Sequence, residues 1–378
     1  MVFKDTKTVL SHHIKNLPGW RMHRRIVVIE SDDWGSIRMP SRLVYEKLLN
    51  AGLDLSGGDG LRYSLYDSLA TSSDLELLYE ILYSSRDFNN TCAVVTANSV
   101  VANPDFEKIK EGGFQQYYYE PVTETLKRYT GNETTFKLWK EGISNHVFIS
   151  QFHGREHLNI SLWMNALRAK DHETLLAFNE GMWAFIPKNS FRTGLEYEAA
   201  FQLSELSELE EHTEILRDGL GLFEELFGYK AEYFVPPNGR INNKLNFTCY
   251  RYGIKFRSAS NIQIEPVGNG KNKRILHWLG QEESNGIRYI IRNCVFEPSI
   301  SGKDWVDTCL NDMKIAFRYD KPAIISTHRV NFIGVHDVSN RDNGLRELTR
   351  LLKSILRIWP DVEFMSTNQL GDLMKGKR

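Results

Sequence analysis

Short β-branched runs alternate with longer helical patterns along nearly the whole chain. That rhythm limits its folding options more than any other feature. The run Ile26-Val27-Val28-Ile29 is apolar at every position, as a strand covered on both faces must be. Pro40 sits where it can open a helix over 41–49, and Ser72 and Ser73 are N-cap candidates for an amphipathic helix over 74–83. Further strands are predicted at 92–96, 146–152, 232–235, 254–257, 274–279, 287–296, 323–326 and 362–365. Helical patterns fall near 162–185, 203–227, 243–252, 303–317 and 345–358. Strands separated by crossover helices imply a parallel sheet. Seven or eight of them favour an α/β fold with a closed or nearly closed (β/α) barrel over an open sheet, although periodicity alone does not settle closure. No repeat or Pro/Gly/Ser-rich linker divides the sequence, so residues 1–378 are expected to form a single domain with an irregular insertion near 100–145.

Composition mainly excludes. With 47 basic against 48 acidic residues, the chain has no long-range field that would seek nucleic acid or an anionic membrane. Cys92, Cys249, Cys294 and Cys309 are widely spaced, which argues against a disulfide scaffold or a zinc ribbon. The first 25 residues are polar and lack the ~7–15-residue apolar stretch of a secretory signal. No run approaches the ~20 apolar residues of a membrane span. The expected location is cytoplasmic, and the sequence carries no signal for an oligomeric state.

The informative residues lie just past the strands, where parallel α/β folds gather their active sites. The first strand ends in Ser31-Asp32-Asp33-Trp34-Gly35, and a later one in His153-Gly154-Arg155-Glu156-His157. Others end in Pro236-Pro237-Asn238-Gly239, Thr327-His328-Arg329 and Ser366-Thr367-Asn368. Two adjacent carboxylates behind a buried strand repel unless a cation or a shared proton compensates them, although a solvated turn has the same composition. His153 and His157 are the one i, i+4 histidine pair in the chain. On a helical turn both rings would face one way and share a metal ion, while one core and one surface histidine is the plainer alternative. The same five residues fit His-x-x-Glu-His with Glu156 as base, but that pattern belongs in mid-helix and here follows a strand. A non-haem iron site of two histidines and a carboxylate has the same donors.

An apolar strand ending in Asp-Asp, then His-x-x-x-His, then a proline-rich strand end, then a late strand ending in histidine resembles the polysaccharide deacetylase (NodB-like) carbohydrate esterases, in that order. The resemblance runs from Ile26 to His328 and on to the last strand. It implies a distorted (β/α) barrel with one divalent metal, zinc first and cobalt, manganese or nickel as alternatives. Asp33, His153 and His157 would be its ligands, Asp32 the general base and His328 the general acid. The implied reaction removes an acetyl group from an N- or O-acetylated sugar or polysaccharide precursor. The alternative is a catalytically silent barrel that binds or scaffolds glycan. The sequence departs from the family pattern where Phe234 takes the place of an arginine and Pro237 that of an aromatic residue. Arg240, Arg38 and Arg329 are the substitutes in view. No Trp-x-x-Asp-type partner for His328 stands out.

Aromatic residues make up 12% of the chain. Most must fill the core. Trp34, directly after the carboxylate pair, is expected in the substrate-binding wall together with Pro237, Asn238 and Arg240. Trp163, Trp183 and Tyr117 to Tyr119 are further places to seek sugar-stacking rings.

Overall fold

Strand β1 (Ile26–Trp34) is buried along its whole length and sits at the middle of the sheet. In the computed structural model, which describes residues 12–57, 60–130, 134–188 and 190–376, eight more strands join it in one sheet. They are β2 (Val95–Ser99), β3 (Phe148–Phe152), β4 (Tyr233–Phe234), β5 (Phe256–Ser258), β6 (Arg288–Ile290), β7 (Cys294–Val295), β8 (Ala323–His328) and β9 (Glu363–Phe364). The order is β6-β5-β4-β3-β2-β1-β8-β7, with β9 attached to the start of β1, and every pairing is parallel. Along the path each strand therefore lies beside a sequence neighbour, and the two ends of the path, β6 and β7, are joined by just Ile291-Arg292-Asn293. One stretch of chain thus leaves the edge of β5 and arrives at the edge of β8. The sheet curls into a distorted (β/α) barrel whose seam is a three-residue break in that stretch.

The two faces of β1 show why the chain closes this way. Val27 and Ile29 join the large core beneath the helices, whereas Ile26 and Val28 join Tyr233, Phe256, Tyr289 and Ile324 in a second cluster. Helix α1 (Ser72–Ser84) starts from a capping box between Thr71 and Asp74 and packs on α2 (Thr134–Ser144). Helix α3 (Trp305–Arg318) links β7 to β8, and α4 (Val338–Ile358) follows β8. The last helix, α5 (Thr367–Met374), closes the floor: Leu370 and Met374 enter the second cluster, and a Cβ on Gly371 would come within 2.5 Å of the Phe256 ring. Only glycine fits there.

Several local expectations are corrected. The helix expected over 162–185 is two helices, Ile160–Arg168 and His172–Asn179, separated by Lys170 at φ 56°. The strand expected over 287–296 is β6 and β7 with the seam between them. The β-rich segment near 274–279 is half of an antiparallel hairpin, Ile262–Gly268 with Lys271–Leu276, and does not join the parallel sheet. Residues 100–145 are largely regular, with helices Phe106–Glu111, Val122–Thr130 and α2. Among the described residues no helix is long and apolar enough to cross a membrane.

Candidate metal centre and active-site cavity

In a regular strand Asp32 and Asp33 would point to opposite faces. Here the pairing of β1 with β2 shifts register between Ser31 and Trp34, and Asp33 has φ 74°, in the left-handed region. This bulge turns Asp33 back to the side Asp32 already faces, so both carboxylates line the same cavity. A non-glycine residue held at positive φ costs of order 1–3 kcal/mol and is typical of functional sites. Trp34 is swung the other way. It is 1% exposed, packs edge-on against Trp139 and Phe148, and donates from Nε1 to Ser31 Oγ at 2.9 Å. It belongs to the core and does not line the cavity.

His153 and His157 converge on Asp33. Each Nε2 lies 3.3 Å from Asp33 Oδ1, and all three side chains are buried. The helical turn expected for the histidine pair is absent. They sit on an irregular segment after β3, where Gly154 takes φ 103°. Glu156 turns onto Arg155 Nε at 2.8 and 3.0 Å and lies outside the cavity wall, so the His-x-x-Glu-His reading has no support. His153 Nδ1 is 2.7 Å from the Val235 carbonyl. A carbonyl accepts only, so Nδ1 carries the proton and directs Nε2 at Asp33. Burial, reinforced by the Arg38 charge, holds His157 well below its ordinary pKa and keeps it neutral. Burial pushes Asp33 upward, but Arg38 and the two histidines outweigh it and hold the carboxyl well below the usual range. Asp33 Oδ2 and His157 Nδ1 have no hydrogen-bond partner.

Two imidazoles and a carboxylate, with ligating atoms all within 4.8 Å of one another, are a donor set with room for one divalent ion. An unpartnered buried carboxylate oxygen among them is what a cation would satisfy. The residues fit the metal expected from the sequence.

Asp32 is held separately. Arg292, in the seam, donates from Nη1 to Oδ2 at 2.6 Å and from Nη2 to Oδ1 at 2.7 Å, and Asn98 Nδ2 donates to Oδ1 at 2.7 Å. Burial raises the Asp32 pKa, yet the Arg292 charge and hydrogen bonds prevail and keep it ionised. Arg292 also donates from Nε to Glu30 Oε2 at 2.5 Å. The arginines considered from sequence do other work. Arg38 reaches Asp33 and Glu198, Arg329 is a buried partner of Asp67, and Arg240 lines the cavity. The available signal for Arg292 was the polar pair Arg292-Asn293 interrupting the run Ile287 to Phe296.

His328, at the end of β8, stands with Nε2 3.9 Å from Asp32 Oδ2. Its Nδ1 is 2.5 Å from Glu297 Oε1, while Arg62 and Asn331 hold the other Glu297 oxygen at 2.6 and 2.8 Å. Burial lowers the His328 pKa, but the adjacent Glu297 charge, with Asp33 and Asp32, raises it to about 9. Glu297 is thus the partner that the sequence reading did not find.

The cavity holds about 800 Å³. Asn238 and Arg240 line it, as do the rings of Tyr63 and Phe185. Pro237 is buried against Gly154 and does not. Trp163 and Trp183 are core residues, the latter stacked 6.4 Å from the His157 ring. Tyr119 lies under Arg155 at 4.3 Å, away from the cavity.

No family model and no curated protein matches the chain. Solved structures do. A probable polysaccharide deacetylase from Pseudomonas aeruginosa PAO1 aligns at 11% identity and TM-score 0.48, over 92% of this chain and 90% of that one. Polysaccharide deacetylases recur among the matches. A PuuE allantoinase aligns at 10% identity and TM-score 0.44, over 95% and 93% of the two chains. A 4-alpha-glucanotransferase from Thermococcus litoralis aligns at 10% identity and TM-score 0.45, over 94% of this chain and 40% of that one. A fold does not by itself fix a reaction, which is read from the side chains.

Proposed function

We propose that this chain is a divergent member of the polysaccharide deacetylase family, a metal-dependent hydrolase that removes an acetyl group from an N- or O-acetylated carbohydrate. The observation that carries the reading is the separation of roles among the groups that face the cavity. Asp33, His153 and His157 form one donor cluster, while Asp32 and His328 stand beside it, each locked by its own partner. A divalent ion at the cluster, zinc in the first instance, would supply Lewis-acid polarisation of the acyl carbonyl and of a water.

Asp32 is the base. The Arg292 fork fixes the plane of its carboxylate, and Oδ2 keeps a lone pair beyond its bond to Nη1. That lone pair accepts the proton of the attacking water as the new C–O bond forms. His328 is the acid. Glu297 keeps it protonated at neutral pH and orients the ring, leaving Nε2–H to protonate the amine or alkoxide that departs. Asn238, Arg240, Tyr63 and Phe185 form the sugar-binding wall.

The test is metal content together with acetate release from a panel of acetylated sugars, with and without chelator. Asp33→Ala and His157→Ala should each lose metal, whereas Asp32→Asn should keep metal and lose turnover. A protein that cannot be loaded with zinc, cobalt, manganese or nickel overturns the metal assignment. A loaded protein silent on every acetyl donor overturns the deacetylase assignment.

A further inference from the structure

The cavity wall is divided by charge. Besides the two aspartates of β1, its carboxylates are Asp54, Glu196 and Glu198, which come from the segments after β1 and β3. The segments after β4 and β5 contribute no carboxylate of their own to the lining, and Asn238 among them donates from Nδ2 to Glu196 Oε2 at 3.3 Å. They contribute the cation Arg240, and the segment before β1 contributes Lys15. Four lysine and arginine side chains line the cavity in addition to His328, and the other two, Arg38 and Arg292, are bound to carboxylates. Among the described residues Arg240 and Lys15 have neither an ion-pair nor a hydrogen-bond partner for their side chains.

Both cations are held against the cavity. Arg240 is half-buried directly after the turn Pro237–Gly239, next to the wall that carries Ser258 and Asn261. Lys15 is half-buried on a segment pinned to the barrel seam: Asn293 Nδ2 donates to Asn16 Oδ1 at 2.9 Å, and Lys321 Nζ donates to the Pro18 and Trp20 carbonyls at 2.7 Å. A half-buried lysine or arginine covers its apolar stem and leaves its charged head to water or to a ligand. An anion delivered by the ligand pairs with that head, and a guanidinium fork suits a carboxylate or a phosphate.

We propose that the carbohydrate bound in this cavity carries an oxyanion, a carboxylate or a phosphate, held by Arg240 on the wall formed after β4 and by Lys15 at the barrel seam. The proposal rests on the sugar-hydrolase reading for the identity of the ligand, but its test requires no turnover. The full chain is titrated calorimetrically with glucose 1-phosphate, glucuronate and neutral glucose, first with chelator and then with zinc. At least one anionic sugar should bind ~10-fold or more tightly than glucose in both conditions, and added NaCl should weaken it. Arg240→Met combined with Lys15→Met should bring that sugar down to the affinity of glucose, with an unchanged thermal midpoint, whereas Arg240→Lys should retain most of the preference. Selectivity for glucose 1-phosphate assigns a phosphate-linked sugar, and selectivity for glucuronate a uronate-containing one. Equal affinity for all three sugars overturns the proposal, as does a preference that survives the double substitution. Acetate release can fail while this preference holds, and the reverse, so the two readings fall separately.

Discussion

Arg292 grips both oxygens of Asp32, at 2.6 and 2.7 Å, from the three-residue seam where the barrel closes. The grip extends through Nε to Glu30 at 2.5 Å, and Glu30 in turn accepts from Tyr233 Oη and Thr367 Oγ1, both at 2.8 Å. One guanidinium thus ties the base to a polar layer inside the barrel.

Arg292→Met should therefore do two things. Without its fork Asp32 loses orientation, and kcat for acetate release should fall by ~10²–10⁴ while metal content is retained. Two buried carboxylates are also left without their cation, which should lower unfolding free energy by about 3–5 kcal/mol in urea titrations. Arg292→Lys should restore charge without the fork and recover stability better than kcat.

Glu297→Gln removes the charge that raises the His328 pKa to about 9. The acid form of His328 is required for protonation of the leaving group, so activity is present below that pKa and lost as pH rises through it. In the variant the alkaline limb of the kcat profile should move downward, with a larger loss at pH 8 than at pH 6. An unmoved limb in a folded variant would remove His328 from the role of acid.

Trp34→Ala tests the correction made at the end of β1. A tryptophan 1% exposed among Trp139 and Phe148 should cost about 3–5 kcal/mol of stability when truncated. KM measured below the melting temperature should stay unchanged. A selective rise in KM would return this ring to the sugar site.

Acid should weaken the fold through His212. It is 2% exposed, its Nδ1 has no partner, and burial pulls its pKa down to about 4. Below its unfolded value near 6.5 the unfolded chain takes up a proton that the folded one refuses. Stability is therefore lost as pH falls from 6.5 through about 4, by roughly 3 kcal/mol at most. His212→Leu should flatten that part of the urea-stability profile and leave neutral-pH turnover intact.

How far the sequence is legible depends on the range of the forces involved. Strand ends could be read because hydrophobic patterning is local, and Asp32, Asp33, His153, His157 and His328 all follow buried runs. The bulge could not be read, since it depends on how β1 registers against β2, and so Trp34 was placed on the wrong face. Arg292 and Glu297 escaped for a related reason. They lie within and directly after the run 287–296, which looks like one continuous strand in sequence, and their partners Asp32 and His328 come near only when the sheet curls. Gly154 similarly replaces the expected helical turn with a loop that still brings the two histidines together.

The seam has a consequence for how activity is acquired. Asp32 and Arg292 are 260 residues apart in the chain, and their bond exists only once the stretch joining β6 and β7 has closed the barrel. Contacts of such sequence separation form late, after the entropy of a long loop has been overcome. A growing or partly refolded chain can assemble Asp33, His153 and His157 from its first three strands and still lack an oriented base. Metal uptake should therefore precede catalytic competence during refolding, and the lag between them would time the moment at which the barrel shuts.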